Sequence, residues 1–367
     1  MDSRIQNEYY PDHVTPPGWT LSDKLEELNM SQAELARRMG RHRKTINEIT
    51  QGKAPITLET ALQLEAVLSI PAGFWNRREL QYRQYRARHK RLEELRGHLA
   101  WMKQFPVRDM AKRGWIQQFS DAAKQLAELL NFFGVSSPTQ WDTVWKGQWV
   151  AYRKTDAYES GDGSLSAWLR KGEVEAHRIH CQPYSATEFR KALTGIRLLT
   201  TEPTEVFVPE IVRRCAAAGV AVVFVPQLPQ AKVSGATCWL APDKAVIQLS
   251  LRYKSDDHLW FTFFHEAGHI LLHGKTLGFL EDCQENDTEK QQANDFAANM
   301  LIPPDALKHF LATKMPVRIS RADVTQFAQA VGIAPGIVVG RLQHDGHLEF
   351  SHLNDLKQKL VWGSSRQ

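Results

Sequence analysis

Apolar positions along this chain recur with helical spacing at first and with strand-like runs later, and the change divides it. From Trp19 to about Trp75 they fall in short amphipathic segments broken at Leu28-Asn29-Met30, Gly40-Arg41 and Gly52-Lys53-Ala54-Pro55. That pattern predicts a compact set of small helices. Gln81 to Lys103 and Asp121 to Phe133 continue in helical pattern, the second closed by Gly134 with Pro138 soon after, as helix ends prefer. Residues 141–200 are Trp-rich and mark no boundary. From Val206 the pattern changes. Pro209 to Ala218 predicts a helix and Val220-Ala-Val-Val-Phe-Val a buried strand. Gly235-Ala-Thr-Cys-Trp-Leu and Ala245-Val-Ile-Gln-Leu-Ser flank Ala241-Pro-Asp-Lys244 as a hairpin, and helices follow to the end. The fold class expected is mainly α with a small β-sheet (α+β). The expected segments are an arm at 1–18, a small helical domain at 19–80, a helical middle region or linker at 81–205, a second domain at 206–350 and a tail at 351–367.

Composition narrows the class. A chain of 367 residues, 43% hydrophobic and 10% aromatic, is globular and too long for one small core. No apolar stretch approaches the ~18 residues that span a bilayer, and Met1-Asp-Ser-Arg-Ile-Gln-Asn-Glu lacks the apolar core of a signal peptide. Cys181, Cys215, Cys238 and Cys283 lie far apart and form no Cys-x-x-Cys pair. A reduced, cytoplasmic protein with no membrane partner is expected. The net charge of +5 is modest but unevenly spread, with nine Lys or Arg against three Glu from Arg77 to Lys103 and an acidic tract from Glu281 to Glu289. The basic stretch suits a polyanionic partner.

The N-terminal segments carry a more specific signal. Ser31 and Glu34 stand as a capping box before Leu35, Ala36 and Met39. The next helix, about His42 to Thr50, turns Ile46 and Ile49 inward and exposes His42, Arg43, Lys44 and Asn47, with Lys53 just beyond. A short basic helix set across another by a glycine turn can enter a major groove. Arg43 and Asn47 suit guanine or adenine edges, Lys44 and Lys53 suit phosphates, and Gln32 suits a backbone contact. Ser-Gln-Ala-Glu-Leu-Ala, Arg-Lys-Thr-Ile-Asn-Glu-Ile-Thr-Gln-Gly-Lys, Ile-Thr-Leu-Glu-Thr-Ala-Leu-Gln-Leu and the closing Phe74-Trp75 resemble the HigA/VapI-type antitoxins, lambda-repressor-like helix-turn-helix proteins, over about residues 17–80. The resemblance implies a homodimer that binds duplex DNA at its own operator and neutralises a partner toxin protein. His42 stands where that family usually has a Ser cap.

The second signal is His265-Glu266-Ala267-Gly268-His269 within the apolar run from Leu259 to His273. Residues four apart share a helix face, so His265 and His269 can hold one Zn2+, and Glu266 is placed as the base for its water. His273 continues the face, but eight helical residues from His265 is about 12 Å, too far for the same ion; packing or support behind a ligand is its expected role. His265-Glu-Ala-Gly-His-Ile-Leu-Leu-His273 and Ala293-Asn-Asp-Phe-Ala-Ala-Asn-Met-Leu-Ile-Pro-Pro304 resemble the ImmA/IrrE metallopeptidase-like family from about Val206 to His347. The resemblance implies a zincin-like domain, with Asn294 orienting a ligating histidine. It places the third metal ligand one helical turn before Asn294, where this chain has Lys290. The nearest acid is Glu289, about 100° away on a regular helix, so it serves only if the helix begins irregularly. Asp287, Glu285 and Cys283 are the fallback ligands. Arg321 to Gly332 and Pro335 to Leu342 form a second helix-turn-helix pattern with few basic residues, expected to support the fold or grip a protein.

Three functions follow. One is a DNA-binding autorepressor of antitoxin type with a zinc metallo-endopeptidase domain that cleaves itself, within the exposed stretch Gln81–Lys103, or a partner repressor. Another is an antitoxin whose C-terminal domain binds toxin or senses a signal without catalysis. The last is a zinc endopeptidase that docks on protein through its helix-turn-helix.

Overall fold

A hydroxyl side chain starts two of the first helices. Ser31 Oγ accepts from the Glu34 amide at 3.1 Å, and Thr57 Oγ1 accepts from the Thr60 amide at 3.2 Å. The computed structural model describes residues 14–146, 162–273, 287–314 and 319–362, and its backbone divides into Met1–His98 and Leu99–Gln367. The first unit holds α1 (Pro17–Glu27), α2 (Gln32–Arg38), α3 (Arg43–Thr50), α4 (Leu58–Leu68) and α5 (Ala72–Arg96). Leu21, Leu35, Ile46, Ile49, Leu64 and Trp75 fill its core. Gly40, at φ +62°, turns the chain between α2 and α3. Gly18 of α1 presses on the end of α3, where a Cβ would lie 2.0 Å from the Ile49 carbonyl oxygen.

Two details differ from the sequence expectation. The capping box at Ser31 forms by half, because the Glu34 carboxylate turns to Arg38, whose Nε is 2.7 Å away, and to Arg37. Charge-assisted bonds outcompete the reach back to an amide, and Arg38 foremost holds Glu34 below the usual carboxylate range. The expected division at residue 80 is also absent. Helix α5 runs unbroken for 25 residues, and Glu79 anchors it by accepting the Ile56 amide at 3.1 Å.

The second unit builds on a sheet. Before it come a 3-10 turn (Leu99–Gln104), α6 (Val107–Lys112), α7 (Ala122–Phe133), α8 (Pro138–Trp141), α9 (Asp162–Arg178), α10 (Ala186–Arg197) and α11 (Thr204–Ala216). Strands β1 (Val220–Phe224), β2 (Gly235–Ala241) and β3 (Lys244–Leu249) pair in the order β1-β3-β2, with β1 parallel and β2 antiparallel to β3. After it come α12 (Asp256–Leu272), α13 (Asp287–Leu301), α14 (Pro304–Lys314), α15 (Arg321–Val331) and α16 (Pro335–His344).

Alternate strand residues serve different cores. Val220, Val222, Ala245 and Ile247 pack with α11, α12 and α16. Ala221, Val223, Cys238 and Val246 pack with Phe133, Trp141 and Trp168. A sheet buried on both faces explains the uninterrupted apolar runs, and part of the 81–205 stretch packs against it. Residues from Leu99 onward supply the second cover, and without them that face would meet water. Gln248, fully buried on this side, donates to the Trp168 carbonyl at 2.7 Å, and Gly172 leaves the room for it.

Residues 351–362 return to the start of α12. Gln358 accepts from the Asp256 amide at 3.0 Å, Leu360 donates to the Lys254 carbonyl at 2.9 Å, and Leu360 is buried. Helices α15 and α16 meet at a bend of 112° after Gly332 and bury Val324, Phe327, Val338 and Leu342 in the core that holds α12. No single helix among the described residues is long and apolar enough to cross a membrane.

The start of α12 is tuned to pH. Asp256 is buried, and burial pushes its carboxyl up to about 6, although Oδ1 accepts the Asp257 and Gln358 amides at 2.9 and 3.0 Å. A carboxyl raised above its unfolded value holds its proton better in the folded state. Its contribution to stability is therefore full at low pH and is lost as pH rises from about 4 through about 6. Asp256→Asn keeps an oxygen acceptor without a charge. It is expected to melt above wild type at pH 8 and close to wild type at pH 4, by calorimetry across that range.

Candidate metal centre and nucleic-acid interface

Helix α3 buries Ile46, Ile49 and Thr50 and leaves His42, Arg43, Lys44 and Asn47 exposed, with Lys53 exposed just after it. His42 is the N-cap residue but its side chain makes no capping bond. Lys44 lies 3.9 Å from Glu48, and Asn47 Oδ1 accepts from Gln51 at 3.2 Å. Both contacts sit at the surface and can exchange for a ligand at little cost. Gln32 differs from the others: it is half-buried and donates to Thr50 Oγ1 at 3.3 Å, bracing α2 against α3.

The histidine pair lies on α12, a helix buried along most of its length. Gly268 permits this closeness, since a Cβ there would approach Ala293 Cα of α13 to 3.2 Å. The Nε2 atoms of His265 and His269 face each other at 3.1 Å. His265 Nδ1 lies 2.9 Å from Asn294 Oδ1; an amide oxygen only accepts, so Nδ1 carries the proton and Nε2 is left with its lone pair. His269 Nδ1 lies 2.9 Å from His273 Nδ1, and His273 Nε2 lies 3.0 Å from Gln292 Oε1. Burial, with His273 beside it, pushes His269 down to about 4, so it stands neutral, as a ligating imidazole must. Glu266 is buried beside β2, where a Cβ on Gly235 would come within 2.8 Å of its Oε1.

Two nitrogens on a tetrahedral zinc sit about 3.3 Å apart, so the two histidines fit two of its positions. Among the described residues no group of three His, Cys, Asp or Glu could hold a metal. Helix α13 is helical from Asp287, without the irregular start that Glu289 would need. Glu289 lies five residues before Asn294, about 140° around a regular helix, while Lys290 lies one turn before it. Cys283, Glu285 and the side chain of Asp287 lie outside the described residues.

Gln292 escaped the sequence reading; the i,i+4 spacing of His269 and His273 was the available hint, but nothing local points to a partner on another helix. A cavity of about 460 Å³ also lies between α12, α13 and α16, lined by Phe261, Asn294, Leu301, Ile337 and Arg341 among others. Asn294 therefore touches both the histidine and the cavity.

Residues 21–75 match the family described as helix-turn-helix, and residues 215–342 match the one described as IrrE N-terminal-like domain. A comparison with curated proteins gives no match. The first match spans α1 to the start of α5, and the second runs from the end of α11 through α16, taking in the sheet and the histidine pair. The chain joins an XRE-type helix-turn-helix domain to an IrrE-like domain of the zincin-like metallopeptidase kind.

Proposed function

We propose that this protein is a transcriptional regulator of antitoxin type that binds its own operator as a homodimer, with a zinc-holding C-terminal domain that cleaves the chain itself or a partner regulator. The observation that carries the reading is the exposed face of α3, with Arg43 and Asn47 set to read bases and Lys44 and Lys53 beside them. A twofold dimer would present two such helices to half-sites one helical turn apart.

In the C-terminal domain, His265 and His269 would hold zinc through Nε2. Zinc, when bound, supplies Lewis-acid polarisation and makes a water acidic near neutral pH. Glu266 would take that water's proton on a carboxylate oxygen and hand it to the leaving amine. Strand β2 is an edge of the sheet beside Glu266, and its backbone can pair with an extended peptide. One observation favours a second reading, in which the domain binds a toxin or senses a signal without turnover: Lys290 stands one turn before Asn294, with no third acidic or histidine donor gathered among the described residues.

Arg43→Ala or Asn47→Ala is expected to cost roughly 1–3 kcal/mol of specific binding and to relax preference at one base pair. Lys44→Ala or Lys53→Ala should weaken all sequences alike and lower the salt slope by about one. Titration of labelled promoter and scrambled duplexes at several salt concentrations checks both. A double Arg43/Asn47 variant that binds the promoter like wild type would remove α3 as the reader.

Metal analysis separates the two readings of the C-terminal domain. About one zinc per chain is expected, lost in His265→Ala and His269→Ala and kept in Glu266→Gln. Glu289→Ala tests the remaining donor: unchanged zinc content means that Glu289 is not a ligand. Following chain length and promoter activity in wild type and Glu266→Gln then tests cleavage. Induction with uncut protein in both would leave the non-catalytic reading in place.

A further inference from the structure

We infer that the face of α5 carrying Arg83, Arg86 and Lys90 is a second DNA contact, one that holds the phosphate backbone of duplex DNA beside the segment that α3 meets. The inference rests on the reading of α3 as the DNA-facing helix. From Arg83 to Arg91 the chain has five Lys or Arg and no Asp or Glu, and this stretch belongs to the same unit as α3. At about 100° per residue, Arg83, Arg86 and Lys90 fall within about 60° of one another around the helix.

Tyr82 sets this face next to the end of α3. Its hydroxyl reaches the turn that follows that helix, where a Cβ on Gly52 would lie 3.2 Å from it. The guanidiniums of Arg83 and Arg86 lie 5.7 and 5.9 Å from the centre of its ring, within the range of a cation–π contact. Lys53, the residue suited to a phosphate, follows Gly52 directly and is exposed. One tyrosine thus places two guanidiniums close to the backbone of Lys53.

The carboxylates on this face are occupied or easily released. Glu79 accepts from the Ile56 amide at 3.1 Å and from Arg83 Nε at 2.5 Å. Glu94 lies 3.7 Å from Lys90, and both are exposed; such a pair is worth little in water, so a phosphate can take the lysine from it. Arg86 stands between them, exposed and with no carboxylate partner among the described residues. Arg86 and Lys90 are four apart, a like-charge spacing that destabilises a helix on its own. A phosphate bound between them turns that repulsion into attraction. Contacts of this kind carry no sequence information, so they lengthen the footprint and strengthen binding without changing which bases are preferred.

The test uses the full chain and double-stranded DNA of two lengths: a promoter site of about two helical turns, and the same site with about one more turn on each side. Scrambled duplexes of both lengths serve as the comparison. Arg86→Gln combined with Lys90→Gln changes two exposed positions, and thermal melts by circular dichroism check that the variant folds. On the long duplexes its plot of log affinity against log salt should lose about 0.9 of slope per cation removed, with the ratio of promoter to scrambled affinity unchanged. On the short duplexes wild type and variant should converge. Arg86→Lys combined with Lys90→Arg keeps both charges and should keep the wild-type slope. An unchanged slope on the long duplexes would overturn the inference, as would an equal loss at both lengths or a fall in promoter preference. An RNA of the same length that loses binding in the variant while DNA does not would assign the face to RNA instead. If the Arg43/Asn47 variant keeps full promoter preference while the α5 variant lowers the slope, the contact of α5 stands and α3 is not the reader.

Discussion

A buried helix can carry polar side chains only where another element answers each of them, and α12 is the case on which the C-terminal unit depends. Asp256 is met by the Gln358 amide, Asp257 by Lys357 at 2.7 Å, His265 by Asn294 and His269 by His273. The answering groups come from α13, from the returning C-terminal segment and, for His269, from His273 at the end of α12 itself. Three glycines make the approaches close enough. Gly268 admits α13, and Gly336 and Gly340 of α16 admit the two aspartates, whose oxygens would lie 2.7 Å from an added Cβ. The segment from His265 to His269 is thus one part of a longer polar row whose other members secure the helix itself.

That dependence also explains what the sequence made legible. Elements defined by local pattern were readable: the β2–β3 hairpin around Pro242 and Asp243, the strand from Val220, and the helix pair set by Gly40. The His265/His269 pair was readable because a helix repeats every 3.6 residues. The cover over the second sheet face was not, because Trp141 and Trp168 meet Val223 and Val246 only through tertiary packing. The pairing of Leu360 with Lys254 spans more than a hundred residues and leaves no local trace. Distance along α12 set His273 apart from His265 in the sequence, yet it could not reveal that His273 turns its ring onto the far nitrogen of His269. Glu34 shows a local rule losing to a stronger neighbour, since both arginines that draw it away lie within one turn.

The two units manage charge differently. In the first, basic side chains crowd the exposed surface of α3 and α5, several of them in surface pairs at helical spacing such as Lys90 with Glu94 at 3.7 Å. In the second, the start of α12 draws a charge into a short, buried pair, Lys357 with Asp257. The first arrangement leaves cations available to a polyanion and sensitive to salt. The second resists screening and serves architecture.

Helix α5 carries a consequence for any self-cleavage. A peptidase that takes its substrate as an added strand needs several residues of extended backbone, and between Ala72 and Arg96 every interior amide is already committed within a helix. Sequence alone made this basic stretch look open to attack because it is polar and exposed; its backbone is not open. A cut there must wait for the helix to fray, and helices fray first at their ends. Gly97 and His98, where the helix stops and the 3-10 turn begins, are the point at which unwinding is easiest. Helix stability in α5 would therefore act as the clock of such a switch, with turnover set by how often the substrate segment loses its shape and not by the rate of the chemistry.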